Sequence, residues 1–326
     1  MVMNACIVGF GSIGPIHAEA LSTLENAELY AVCDVCKERA DRAAETYSTK
    51  VYYDFDECIK DDNIDCIHIC TPHYLHFEMI TKALEAGKKV IVEKPATMKK
   101  EEMDILFSKY NVADIFPIMQ NRKNDCIEKL KNIIETDQSI GELKGIKGIL
   151  TWCRDADYYN SGEWRGTKKY EGGGVLINQA VHTLDLMIYI AGAVDEIKAK
   201  SSNYSLENVI EVEDTVDAFM KFKNNATGIF FATNSYSYNS SVQIEIHFEN
   251  RYFKYIDGML FVDGDVICKD SGVYAGKSCW GSGHAKALAD YYENGANFNL
   301  TDVKDTMDAM FAIYKSAEKN GMSVCV

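Results

Sequence analysis

An apolar run over residues 4–10 leads directly into Gly9-Phe10-Gly11-Ser12-Ile13-Gly14. Short, unbroken apolar runs bounded by turn signals suit strands buried on both faces, as in a parallel sheet. The signature recurs at residues 28–33, 64–70, 89–92 and 115–120. Helical patterns stand between several of these runs. After Pro15, the residues Ile16, Ala20, Leu21 and Leu24 form one apolar stripe; residues 76–86 read as a helix stopped by Gly87, and 101–109 as another. This βα alternation predicts a doubly wound parallel sheet.

Past Asn121-Arg122 the pattern changes. A helix near 125–134 precedes a strand over 143–153, and Gly172-Gly173-Gly174 opens a long helix over 175–191. From Glu196 onward come β-prone segments at 215–222, 226–235, 241–249, 253–256 and 259–262, parted by Asn, Asp and Gly turns, as in a mostly antiparallel sheet. Helical stretches at 284–293 and 303–320 follow. At 326 residues the chain is long for one compact core. The expected fold class is therefore α/β: a Rossmann domain over 1–121, and an α+β domain with a mostly antiparallel open sheet over 122–326.

The glycine turn sits between a strand and a helix, and Asp34 ends the next strand about 20 residues later, the context of a dinucleotide fingerprint. Gly9 permits the turn, Gly11 lets backbone approach the phosphates, and Gly14 allows close helix packing; the helix start offers N–H groups to the pyrophosphate. Asp34 suits a ribose diol and repels a 2′-phosphate, which favours NAD over NADP, although Lys37 and Arg39 stand close enough in sequence to reach a phosphate. Ligands of such sheets bind beyond the strands' carboxyl ends. Gly9–Gly14, Asp34, Thr71-Pro72-His73, Glu93-Lys94-Pro95 and Gln120-Asn121 all fall there.

Composition narrows the partners. With 34 basic and 49 acidic residues the net charge is −15, which argues against nucleic acid or an anionic membrane. Apolar runs such as 175–190 are broken by Asn178, Gln179, His182, Thr183 and Asp185, so none resembles a membrane span, and the first strand begins within a few residues with no basic n-region before it, so a signal peptide is not expected. Eleven cysteines lie mostly in apolar runs and show no zinc-ribbon spacing. They read as free thiols of a cytoplasmic protein, with no metal expected.

Two residues carry the candidate chemistry. Lys94 ends a buried strand beside Glu93, and Pro95 keeps it out of helical geometry. A lysine so placed can hydrogen-bond a substrate hydroxyl, and His182 can take its proton. Asn178, His182 and Asp185 fall at i, i+4 and i+7, one face of a regular helix. The plainer readings are a solvated strand-end lysine and a hydrogen-bonded structural histidine. Trp164 and Arg165 fit either a substrate wall or packing on the sheet; His284, after Trp280-Gly281-Ser282-Gly283, fits either a substrate contact or a simple helix start. Arg154, Tyr158, Tyr159 and Arg165 suggest a hydroxylated, anionic-tolerant ligand.

In this order the markers resemble the glucose–fructose oxidoreductase, inositol dehydrogenase and MocA-like family. They are Gly9–Gly14 with His17-Ala18, Thr71-Pro72 with His73 and His76, Glu93-Lys94-Pro95, Gln120-Asn121-Arg122, and the triple-glycine helix ending His182-Thr183-Leu184-Asp185. The resemblance implies NAD held by Gly9, Gly11, Ser12, Ile13, Gly14, Asp34, Thr71, Pro72, His73, His76, Glu93, Lys94 and Gln120. It implies Lys94 and His182 as the catalytic pair with Asn178, and a sugar or polyol met by Arg154, Tyr158, Trp164, Arg165, Asn178, His182 and His284. Asn178 stands where the family commonly has aspartate, so a charged relay to His182 is not carried over. The family also implies a homodimer or homotetramer through the second sheet. Three activities follow from it: dehydrogenation of a secondary hydroxyl, glycosidic cleavage through transient oxidation, and non-enzymatic NAD sensing. Retention of both Lys94 and His182 favours an enzyme.

Overall fold

The computed structural model describes residues 2–271, 283–295 and 297–326. The chain divides into two compact units, residues 1–120 with 283–303, and residues 121–282 with 304–326. The first holds six parallel strands: β1 (Met3–Val8), β2 (Ala27–Cys33), β3 (Lys50–Tyr52), β4 (Cys66–Ile69), β5 (Lys89–Val92) and β6 (Ile115–Pro117). Their order is β3-β2-β1-β4-β5-β6, so the winding direction reverses between β1 and β4. Helices α1 (Gly14–Leu21), α2 (Lys37–Tyr47), α3 (Phe55–Cys58), α4 (His76–Glu85) and α5 (Lys100–Lys109) connect them.

Register aligns one row across this sheet: Val8 pairs with Cys33 and Ile69, Ile69 with Val92, and Val92 with Pro117. The residues just beyond that row are Gly9, Asp34, Cys70 and Glu93. Backbone bonds extend the alignment past the strand ends, from Gly9 N to Cys33 O (2.8 Å), Cys70 N to Val8 O (2.8 Å) and Glu93 N to Ile69 O (3.0 Å). The expected convergence at the carboxyl edge is thus imposed by the sheet's own pairing. Cysteine serves here as a small core residue, with Cys6, Cys58 and Cys66 fully buried; every cysteine among the described residues is a free thiol.

The second unit is built on nine strands: β7 (Leu143–Thr151), β8 (Val194–Ser202), β9 (Thr215–Phe222), β10 (Thr227–Thr233), β11 (Gln243–Phe248), β12 (Tyr252–Ile256), β13 (Met259–Val262), β14 (Asp265–Lys269) and β15 (Val324–Cys325). They run in the order β14-β13-β12-β11-β7-β10-β9-β8-β15, antiparallel except where β7 meets β10. In β9, Val216, Ala218, Met220 and Phe222 point inward and Asp217, Phe219 and Lys221 outward, the period-2 pattern of a sheet covered on one side. The helices of this unit are α6 (Asp125–Thr136), α7 (Ala156–Asn160), α8 (Val181–Ala191) and α10 (Lys304–Glu318). Helix α8 lies close on β7 because Gly148 has no side chain: a Cβ there would stand 2.3 Å from Met187 Sδ. Arg122 and Asp185 form a buried fork, with Nε to Oδ2 at 2.8 Å, and Thr306 Oγ1 donates to Asp185 Oδ1 at 2.8 Å.

Two features differ from the sequence expectation. Helix α9 (Gly283–Asn294) belongs to the first unit, so that unit takes two stretches of chain and a single break at 121/122 does not describe it. The helix expected over 175–191 is in two parts, a π-helical turn over Leu176–Ala180 followed by α8. A π turn carries one more residue than an α turn. The segment that carries Asn178 and His182 is therefore wound differently from the single regular helix expected.

Candidate active site

At the mouth of the first unit, Gly9 holds φ at 90°, and a Cβ on it would meet Cys70 O at 2.7 Å. A Cβ on Gly14 would meet Gly9 O at 2.6 Å, so its small size serves the turn itself. Gly11 differs: a Cβ there would point into open space, and both Gly11 and Ser12 are exposed. Ile13 precedes α1 and accepts from Ile16 N at 3.0 Å. Asp34 is buried, and both its oxygens are engaged. Oδ2 accepts from Phe10 N (2.8 Å) and Arg39 Nε (3.1 Å), Oδ1 from Cys36 N (2.8 Å) and Arg39 Nη2 (2.9 Å). Burial opposes its charge, but the Arg39 fork and the backbone donors hold its carboxyl below the usual range. To meet a ribose diol, Asp34 has to release or share Arg39.

Beneath Lys94 lies a network that sequence reasoning did not assemble. Glu93 Oε1 is 3.1 Å from His17 Nε2 and 3.2 Å from His284 Nε2, while Glu93 Oε2 accepts from Lys94 N at 3.3 Å. His17 Nδ1 is 2.9 Å from His68 Nδ1, and His68 Nε2 is 2.6 Å from Tyr292 Oη. Burial opposes the charge on Glu93, yet the bonds from His17 and His284 hold it well below the usual carboxylate range. Burial also pushes His17 down and His68 well down. One proton arrangement satisfies an ionised glutamate and two neutral rings: Tyr292 donates to His68, His68 to His17, and His17 to Glu93. The three atoms His17 Nε2, Glu93 Oε1 and His284 Nε2 lie within 4.8 Å of one another, a set that could hold a metal ion; these hydrogen bonds account for it without one.

His284, expected at substrate, is 1% exposed and bound to Glu93; residues 280–282 of its expected turn lie outside the described residues. His76 bridges two loops, with Nδ1 2.7 Å from Pro95 O and Nε2 2.8 Å from Thr71 O. Burial lowers its pKa and those carbonyls oppose the fall. His73 lies against it at 5.9 Å between ring centroids, with Pro72 just before the short turn that holds it. The Lys94–Pro95 peptide is cis. Gln120 is buried.

In the second unit, Asn178 Nδ2 donates to Glu171 Oε1, and Glu171 Oε2 accepts from Gly166 N. A carboxylate thus stands one hydrogen bond behind the position where the family commonly has aspartate. Glu213 accepts from Leu176 N (3.2 Å) and Tyr314 Oη (2.9 Å); burial raises its pKa. His182 is half-buried, on the first turn of α8. Arg154, Tyr158, Trp164 and Arg165 lie together. The Arg165 guanidinium stacks on Tyr158 (4.5 Å) and Trp164 (4.7 Å), and that of Arg154 on Tyr158 (5.1 Å) and Trp152 (4.8 Å). Lys94 and His182 fall in different units.

Residues 3–112 match a family described as an oxidoreductase family with an NAD-binding Rossmann fold, and residues 127–254 match the GFO/IDH/MocA C-terminal domain. The chain belongs to the GFO/IDH/MocA family. A relative in Thermotoga maritima, myo-inositol 2-dehydrogenase, is 28% identical over 255 residues, covering 75% of this chain and 72% of the relative. Levoglucosan dehydrogenase of Pseudarthrobacter phenanthrenivorans is 25% identical over 281 residues, covering 75% and 71%. Among solved structures, a levoglucosan dehydrogenase bound to NADH superposes with a TM-score of 0.86 at 24% identity, covering all of this chain and 99% of that one.

This GFO/IDH/MocA member is an NAD-dependent oxidoreductase. The residues present fit the dinucleotide, since Gly11 opens onto clear space at a helix start and Asp34 stands at the next strand end. No helix among the described residues is long and apolar enough to cross a membrane.

Gly11→Ala should unfold within about 0.5 kcal/mol of wild type in urea, yet bind NADH at least about tenfold more weakly by fluorescence titration. Undiminished NADH affinity would remove Gly11 from the cofactor cradle. Glu93 has its pKa depressed, so its charge stabilises the fold above the ordinary value of 4.5 and that stabilisation is lost as pH falls through the depressed value. The stability gap between wild type and Glu93→Gln should therefore narrow in acid; a gap constant from pH 7 to pH 3 would contradict an ionised Glu93.

Proposed function

We propose that this chain oxidises a secondary hydroxyl of a sugar, cyclitol or related polyol with NAD, or runs the reverse reduction. Bound NAD supplies the hydride acceptor. Lys94 donates a hydrogen bond to the substrate hydroxyl and lowers the cost of removing its proton, and His182 takes that proton. Asn178, fixed by its bond to Glu171, orients His182 or holds a second hydroxyl. The observation that carries this reading is the single row at the sheet's carboxyl edge. There the glycine turn, Asp34 and the Glu93-Lys94 pair are brought into register, with Lys94 next to a buried carboxylate. The two sequence relatives, named for an inositol and an anhydrosugar, support the substrate class.

We also propose that two or four copies associate through the outer face of the nine-stranded sheet. Phe219 and Ile229 pair across β9 and β10 and are 48% and 56% exposed there. Beside them Lys147 and Lys254 flank Glu245. An exposed apolar stripe with a charged border is the usual dress of an interface.

Lys94→Ala should lower kcat/KM by about 10²- to 10⁴-fold, read as NADH absorbance over a polyol and sugar panel, with NAD affinity within a few-fold of wild type. Full turnover in that variant would remove the mechanism. Sedimentation velocity should find a dimer or tetramer that Phe219→Lys with Ile229→Lys converts to monomer; a wild-type monomer would refute the sheet interface.

A further inference from the structure

We propose that the substrate is an anionic sugar, carrying a carboxylate or a phosphate, and that Arg154, Arg165 and Tyr158 hold its charged group. The proposal rests on the dehydrogenase reading for the reaction and on the second unit alone for its geometry.

Five side chains alternate in one half-buried ladder, Trp152, Arg154, Tyr158, Arg165 and Trp164, with cation-to-ring distances of 4.5 to 5.1 Å. Packing alone accounts for part of this, since each such contact contributes about 0.5–2 kcal/mol. It does not account for the charge. Arg39, Arg122 and Arg251 each sit on an aspartate. Among the described residues Arg154 and Arg165 meet no carboxylate: Arg154 Nη1 donates to Cys153 O (2.7 Å) and Asn239 Oδ1 (2.9 Å), and Arg165 Nη1 to Tyr158 Oη (2.6 Å). Two partly desolvated cations without a counter-charge are unusual in a chain carrying 49 acidic residues.

Stacking engages the flat face of a guanidinium and leaves its in-plane N–H donors for an oxyanion, in the fork geometry that suits carboxylate and phosphate. Tyr158 adds a third donor. Its oxygen already accepts from Arg165 Nη1 and from Gln179 Nε2 at 3.0 Å, which uses both lone pairs and leaves its own proton to donate. Gln179 lies three residues before His182, on the π turn that leads into α8. The anion-holding ladder is therefore fastened to the same segment as the proposed base.

The test uses the full-length protein saturated with NADH, and calorimetric binding of matched gluco-, galacto- and manno-configured sets: neutral hexose, uronate and hexose 6-phosphate. In at least one set an anionic member should bind about 10- to 100-fold more tightly than the neutral one, the fold-change expected of charge-assisted hydrogen bonds. The gap should shrink with added salt and in Arg154→Met and Arg165→Met, whose apolar stems preserve packing. The uronate and phosphate arms say which anion is meant. Equal or undetectable binding across every set, a gap untouched by both substitutions, or inorganic phosphate binding as tightly as the sugar phosphate would overturn the proposal. If the anionic preference holds while no sugar reduces NAD, the dehydrogenase reading fails and this inference stands.

Discussion

Glu93 imposes the governing constraint on the first unit. A carboxylate with almost no solvent contact is tolerable only when donors surround it. Here the donors come from α1, through His17, from α9, through His284, and from the backbone of Lys94. The charge also fixes the proton positions on His17 and His68 and engages Tyr292 beyond them. Strand β5 thus ends on a hydrogen-bonded, negatively charged floor, and Lys94 is the next residue along the chain. The position of the lysine follows from electrostatics as much as from the strand.

The second unit solves a related problem differently. Two of its buried glutamates, Glu171 and Glu213, are spent on the start of the helix: Glu171 on Asn178, Glu213 on Leu176 and Tyr314. The π turn over Leu176–Ala180 sits where these bonds converge, consistent with the tendency of such turns to occur where side chains must be re-aimed. Asparagine at 178 is therefore backed by a carboxylate, that of Glu171.

Much of this was legible in the residues. The parallel strands announce themselves because a doubly covered strand needs every position apolar, and the glycine turn lies where such a strand ends. The antiparallel strands show through alternation. Strand β8, Val-Asp-Glu-Ile-Lys-Ala-Lys-Ser-Ser, buries only Val194, Ile197 and Ala199, unevenly spaced, and α2 buries only Ala40 and Ala43, too few in each case for the residues alone to mark the element. The Glu93 network left no local trace: positions 17, 68, 93, 284 and 292 share no periodicity and meet only when the chain folds. Residue 284 in particular lies in a stretch that reads as part of the second half.

That long return of α9 bears on how the protein can be made. Residues 1–120 emerge first from a ribosome, yet the buried charge at 93 and the ring at 68 find His284 and Tyr292 only after more than 160 further residues are synthesised. At ordinary elongation rates that delay is about 10–30 s. During it the nascent first sheet carries an uncovered flank and an incompletely solvated carboxylate, and the intervening second unit has to be produced before the first can close. The two units are thus interleaved in time as well as in sequence, and expressing the leading segment alone would yield a nucleotide fold lacking part of its own interior.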